Sequence, residues 1–245
     1  MRKDYQLLLL FLPCLAFYIV FRYGPMYGLI IAFKDYSVFQ GILGGMRVQL
    51  NAMGIGRELA VCHGIFAQIC FALLIALATV SSRGWLQSQR KPHYLARSLS
   101  GALMVACIFI PVQMLFGALQ RHIGFGFIPH LVMAGAWVLF VLWLNFVVYF
   151  DGELRQRLGS WPGVLAGLTT LQLFLGLGAL WATRLLPPGW GKTPSAMEAL
   201  LPTFHLGMGA LVFGTVVALT LLASRRLAVE PATASARGYA MEGTP

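Results

Sequence analysis

Three histidines, His63, His130 and His205, each stand a few residues into a long apolar run. Imidazole is the commonest metal-binding side chain. An ionisable group inside a membrane-spanning run is costly, so it faces the bundle interior with a partner or a ligand. The bland alternative for any one of them is an interfacial histidine bonded to a carbonyl. Repetition shifts that balance. Gln113-x-x-x-Gly117 precedes His130-Leu131 and Gly135-Ala136, and Gln172-x-x-x-Gly176 precedes His205-Leu206 and Gly209-Ala210. A weaker copy reads Gln40-x-x-x-Gly44 and then His63-Gly64. Each unit reads as a helix hairpin, with a glutamine and a small residue on the first arm and a histidine at the start of the second. Repeats of this kind build binding sites at pseudo-symmetric interfaces.

Two neutral imidazoles on facing helices suit a six-coordinate haem iron, and small residues nearby let a flat macrocycle lie between backbones. A b-type haem needs no Cys-x-x-Cys-His attachment motif, and the chain has none. Zinc is disfavoured, because no acid or cysteine accompanies the histidines at their depth. The expected iron ligands are therefore drawn from His63, His130 and His205, with Gln113 and Gln172 lining the site. Arg121, in the turn Arg121-His122-Ile123-Gly124, is placed for a haem propionate. The Gln-x-x-x-Gly pairs also suit plain helix packing. His93 and His122 read as solvated or headgroup-facing.

The elements that must carry these residues follow from composition. Of 245 residues, 58% are hydrophobic and 11% charged, with mean hydropathy +0.75, against about 25% charged in soluble domains. Apolar runs cover about 7–32, 60–81, 98–120, 128–150, 162–183 and 203–224, each near the ~20 residues that cross a bilayer. The fold class expected is all-α, a polytopic membrane bundle of about six transmembrane helices with internal hairpin repeats. The first run follows Met1-Arg2-Lys3-Asp4 and resembles a signal peptide, but no Ala-x-Ala site follows it, so it reads as an uncleaved anchor. The stretch Val38–Leu50 is too short to span and is placed at the interface.

Arg83, Arg90, Lys91 and Arg97 fall in one loop without an acid, which holds that loop in the cytoplasm. Alternation then puts Arg155, Arg157, Arg225, Arg226 and both termini on the same side, eleven of the eighteen Lys and Arg in all. The net charge of +10 forms no stripe, so anionic lipid rather than nucleic acid is the expected partner. Cys14, Cys62, Cys70 and Cys107 lie in or beside apolar runs and read as small apolar residues. The tail Val229–Pro245 has a disordered composition.

From Gln40 to about Arg226 the chain resembles the heme A synthase family of cytochrome oxidase assembly proteins. The residues carrying the likeness are Gly44-Gly-Met-Arg-Val-Gln-Leu-Asn51, Val61-Cys-His-Gly-Ile-Phe-Ala-Gln68, Gln113-Met-Leu-Phe-Gly-Ala-Leu-Gln-Arg-His122, and the helices opening His130-Leu131 and His205-Leu206. The resemblance implies a bacterial-type inner membrane protein that oxidises a methyl of heme O to the formyl of heme A. It implies heme b held by His130 and His205, heme O as substrate at a site containing His63, and heme O synthase or oxidase assembly factors as partners. A homo-oligomer is left open. The family's first two helices, with their Glu-x-x-His-Arg type motif, have no match in the chain, so the histidine that the family pairs with the position of His63 has no counterpart here.

Residues 5–43 instead resemble the start of sugar-type ABC importer permeases, through Tyr5-Gln-Leu-Leu-Leu-Leu-Phe-Leu-Pro13, Tyr23-Gly-Pro-Met-Tyr-Gly28 and Ala32-Phe-Lys-Asp-Tyr36. The domain division expected is a permease-like anchor over 1–43, a heme-A-synthase-like bundle over 44–226 and a tail over 227–245. A permease subunit of such an importer is the alternative function, although neither internal loop carries the Glu-Ala-Ala-x-x-x-Gly segment by which such permeases dock their ATPase.

Overall fold

The computed structural model describes Leu12, Leu15 and residues 56–185 and 196–229. Seven helices and two short strands follow one another: α1 (Gly56–Ser81), α2 (Arg83–Leu86), β1 (Lys91–His93), α3 (Ala96–His122), α4 (Phe127–Phe150), α5 (Gly152–Leu158), α6 (Trp161–Leu180), a π-helical turn (Trp181–Leu185), α7 (Ala196–Arg226) and β2 (Leu227–Val229). Among the described residues five stretches are long and apolar enough to cross a membrane: Ala60–Ser81, Ala96–His122, Phe127–Phe150, Trp161–Thr183 and Leu200–Arg226. They match five of the six expected spans; the sixth, 7–32, lies outside the described residues apart from Leu12 and Leu15. The chain is an all-α polytopic membrane bundle. Exposed Leu139, Phe146, Ile108 and Phe174 face outward from it, as side chains solvated by lipid tails do.

The bundle has two unlike ends. At the end carrying the basic loops, Leu99, Leu103, Leu144, Leu165, Val216 and Leu219 are fully buried, and Leu154 and Leu158 of α5 close beneath them. α7 is the central helix, with over half of its span buried against α6, α1 and α3. A buried bond from Trp137 Nε1 to Thr169 Oγ1, at 3.2 Å, ties α4 to α6. At the opposite end, leucine gives way to Gln, Gly and His, and side chains there are half-buried.

Backbone chemistry sets the ends. Asp151 accepts a hydrogen bond from Leu154 N at 3.0 Å and so caps α5. Gly126, with φ of +103°, caps α4, and a Cβ there would lie 2.9 Å from the Phe116 carbonyl oxygen. Only glycine meets both demands. That fixes where α4 begins, and His130 donates its backbone N–H to Gly126 O in the first turn.

β1 and β2 pair in parallel, Lys91 opposite Leu227 and His93 opposite Val229, a pairing the apolar pattern did not announce. Arg90 donates to Leu227 O, Arg157 to the carbonyls of Lys91 and Pro92, and Arg226 to Arg157 O. His93 departs from the expected solvated loop position. It is buried, takes the Leu95 N–H on Nδ1 and lies 3.1 Å from Asp151 through Nε2. A backbone donor on Nδ1 leaves the proton on Nε2, so the neutral ring already satisfies both contacts.

Candidate functional site

α3 and α4 form one hairpin, α6 and α7 another, and the two histidines meet between them. The imidazole centroids of His130 and His205 are 6.3 Å apart, with ring planes at 77°. Each ring is seated on the first arm of its own hairpin. His130 Nδ1 lies 3.0 Å from the carbonyl oxygen of Gln113, and His205 Nδ1 lies 3.1 Å from that of Gln172. A carbonyl can only accept, so both Nδ1 atoms carry protons and both Nε2 atoms keep a lone pair. This is the tautomer a metal-ligating histidine uses, with a backbone carbonyl orienting the ring and raising its basicity.

One turn along each arm a glycine makes room for the ring. A Cβ on Gly117 would come within 3.0 Å of His130 Cε1, 3.3 Å of Nδ1 and 3.7 Å of Nε2. On Gly176 the same distances to His205 would be 2.9, 3.2 and 3.7 Å. The two seats agree to 0.1 Å, from independent segments of sequence. The buried side-chain oxygens of Gln113 and Gln172 accept no hydrogen bond among the described residues. Burying such an acceptor unpaired costs about 1–3 kcal/mol, and Gln68 Oε1 and Gln120 Oε1 are left in the same state among the described residues.

The glutamine amides differ. Gln113 Nε2 donates to the His130 carbonyl oxygen at 2.9 Å, whereas Gln172 Nε2 lies 3.3 Å from His205 Nε2. The glycines expected after each histidine differ too. A Cβ on Gly209 would be 3.3 Å from Gln172 Nε2, while one on Gly135 would meet nothing within 4 Å. Gly209 is four residues beyond its histidine and Gly135 five, so the small pairs are not strictly equivalent.

His63 is on α1 with an exposed side chain, and Arg121 is exposed at the end of α3. The third repeat, Gln40 and Gly44, lies outside the described residues. Among those residues no cluster of three or more His, Cys, Asp or Glu could hold a bare metal ion. Cys62 is exposed, Cys70 buried and Cys107 half-buried with Thr220 at 3.2 Å.

The arrangement can therefore offer two nitrogen lone pairs from opposite hairpins to one acceptor. Nitrogen is a ligand that iron accepts, and a haem, if bound here, would be held by His130 and His205 and would supply one-electron redox chemistry. The donor set fits a haem on that count.

The fold is that of a polytopic α-helical membrane protein, with a histidine pair drawn from two similar hairpins. No protein-family profile matches the chain, and no solved structure matches it. Short stretches are shared with Protein LplB of Bacillus subtilis (strain 168), 46% identical over 41 residues, which cover 17% of this chain and 13% of that protein. The polygalacturonan/rhamnogalacturonan transport system permease protein YteP of the same organism is 48% identical over 45 residues, covering 18% of this chain and 14% of its own. The chain thus spans about one seventh of the length of these relatives. A short permease-like stretch agrees with one of the two likenesses read from the sequence. The likeness to heme A synthases has no counterpart among these relatives.

Proposed function

We propose that the chain is a haem-binding membrane protein in which His130 and His205 hold a b-type haem between the α3–α4 and α6–α7 hairpins. The observation carrying this is the duplicated seat, in which two separate segments each present a carbonyl-bonded Nδ1 and a glycine shelf, with the His205 Nε2 beside the Gln172 amide. Haem so held supplies one-electron redox chemistry. The chain's own part is to fix the ring planes, exclude water with the leucine-packed end and present basic residues at the surfaces. In its finer form, drawn from the resemblance, the protein is of the heme A synthase type. His63 then belongs to a second site that takes heme O, and Arg121 pairs with a propionate. The setting is a bacterial inner membrane with both termini cytoplasmic.

The test is a dithionite-reduced minus oxidised spectrum of the detergent-purified chain with pyridine hemochrome extraction. A sharp b-type band near one haem per chain supports the pair, and its absence after expression with ample haem overturns it. Conversion of heme O, followed by mass spectrometry, tests the finer form separately.

A second reading, a permease part of a saccharide importer, is favoured by the matches to LplB and YteP. Uptake of labelled oligogalacturonide into vesicles carrying the chain, in a haem-free preparation, would support it over the first.

A further inference from the structure

The two hairpins share the carbonyl-bonded Nδ1 and the glycine shelf but differ in the glutamine side chain. In the first, the Gln113 amide sits on the His130 carbonyl, 2.9 Å away, and His130 Nε2 is left to the shared space. In the second, the Gln172 amide lies 3.3 Å from His205 Nε2. Since His205 Nδ1 gives its proton to Gln172 O, Nε2 is the acceptor, and the amide N–H covers the lone pair with which that histidine would bond a metal. Residue 172 thus grips both ring nitrogens, one through its carbonyl and one through its side chain.

We propose that Gln172 is a positioning residue that shields the His205 lone pair until a ligand arrives and then releases it. On release, its amide moves to the His205 carbonyl, the place Gln113 already occupies on His130. The distance is short. The amide already lies beside the α7 backbone one turn along, where a Cβ on Gly209 would be 3.3 Å from it, and a helical carbonyl has a second lone pair for a side-chain donor. No covalent bond changes in this exchange. His130 is therefore the open ligand and His205 the gated one, so binding proceeds in that order. The identity of the incoming ligand rests on the haem reading; the shielding of His205 does not.

The test uses the full chain in detergent, without haem, in wild-type form and as Gln172→Leu, Gln172→Met and Gln113→Leu. In carbethoxylation an imidazole lone pair attacks a carbonyl of diethyl pyrocarbonate and expels ethyl carbonate, and the rate at His205 and His130 is read by peptide mass spectrometry. Haem association is followed separately by stopped-flow absorbance after adding hemin. An ordinary net hydrogen bond is worth about fivefold in rate. Modification at His205 is expected to rise by about that factor in both Gln172 variants, with His130 unchanged, and hemin association to quicken in parallel. Gln113→Leu should leave His205 modification as in wild type. Equal His205 rates in wild type and whichever Gln172 variant folds would overturn the shield, even if all proteins take up hemin. Faster modification with no hemin uptake by any protein would support the shield and overturn the haem reading instead.

Discussion

Gly176 and His205 are so close that a single methyl group on the glycine would come within 2.9 Å of the ring carbon Cε1. Gly117 stands to His130 in the same way at 3.0 Å. Contacts under about 3.0 Å between carbon atoms are repulsive and force a shift. Here the ring cannot slide freely, because Nδ1 is tied to the carbonyl one turn earlier. Gly176→Ala and Gly117→Ala should each turn the imidazole off its seat and cut bound haem at least tenfold while leaving the bundle folded. Gly135→Ala, where the added carbon meets nothing, should bind haem as wild type does. Haem per chain from pyridine hemochrome, beside circular dichroism for helix content, checks all three.

The leucine-packed end should carry most of the stability. Leu219 is 0% exposed and Leu139 is 68% exposed. Leu219→Ala should cost about 2–5 kcal/mol, and Leu139→Ala, whose side chain is solvated by lipid, within about 0.5 kcal/mol. Thr169→Val removes the acceptor of the Trp137 indole and should cost about 0.6–1.7 kcal/mol, the range for interhelical bonds in membranes. Unfolding by SDS titration in mixed micelles ranks them, and equal losses for the two leucines would mean that Leu139 is packed rather than lipid-facing.

Much of this was legible in the chain. Five spans follow from apolar length alone, with ends within about three residues of those observed, since a bilayer imposes one thickness on every helix. The Gln-x-x-x-Gly repeat marked the two hairpins that bring His130 and His205 to 6.3 Å, but it marked His63 as well, and only the resemblance singled out the pair. Two things were hidden. The β1–β2 pairing joins residues 91–93 to 227–229, and three-residue strands have too short a pattern to stand out from loop. His93 looked solvated because its partner Asp151 is 58 residues away and no local spacing links them. The opposite roles of the Gln113 and Gln172 amides are rotamer differences between identical motifs, which no sequence period encodes.

Asp151 makes the basic end sensitive to acid. Partial burial pushes its carboxyl up, but the Leu154 backbone N–H, His93 and Tyr94 outweigh that and hold it below the ordinary aspartate range. Tyr94, in turn, is raised by burial and by its bond to Asp151. A carboxyl with a lowered folded pKa contributes stability that is complete above its unfolded value, near 3.8, and is lost as pH falls through the folded one. Stability should therefore be flat in this respect from neutral pH to about 4.5 and drop below about 4. Asp151→Ala should remove the drop and cost about 1 kcal/mol at pH 7 through the lost cap of α5. Thermal midpoints of both proteins from pH 3 to 7 check the sign, and a midpoint that rises on acidification would contradict it.

The same end should face the cytoplasm. Arg83, Arg90, Lys91, Arg97, Arg155, Arg157, Arg225 and Arg226 all flank the span ends there. Basic residues within about 15–20 positions of a span resist translocation. Gln89, exposed in the β1 loop, and Phe125, 64% exposed in the turn between α3 and α4, lie at opposite ends of α3. In a background with the native cysteines changed to serine, Phe125→Cys should react with an impermeant maleimide on intact spheroplasts, and Gln89→Cys only on inverted vesicles. The reverse pattern would place the histidine pair at the cytoplasmic end. A haem held there would exchange electrons with cytoplasmic rather than external donors, so this labelling decides from which side of the membrane the site is served.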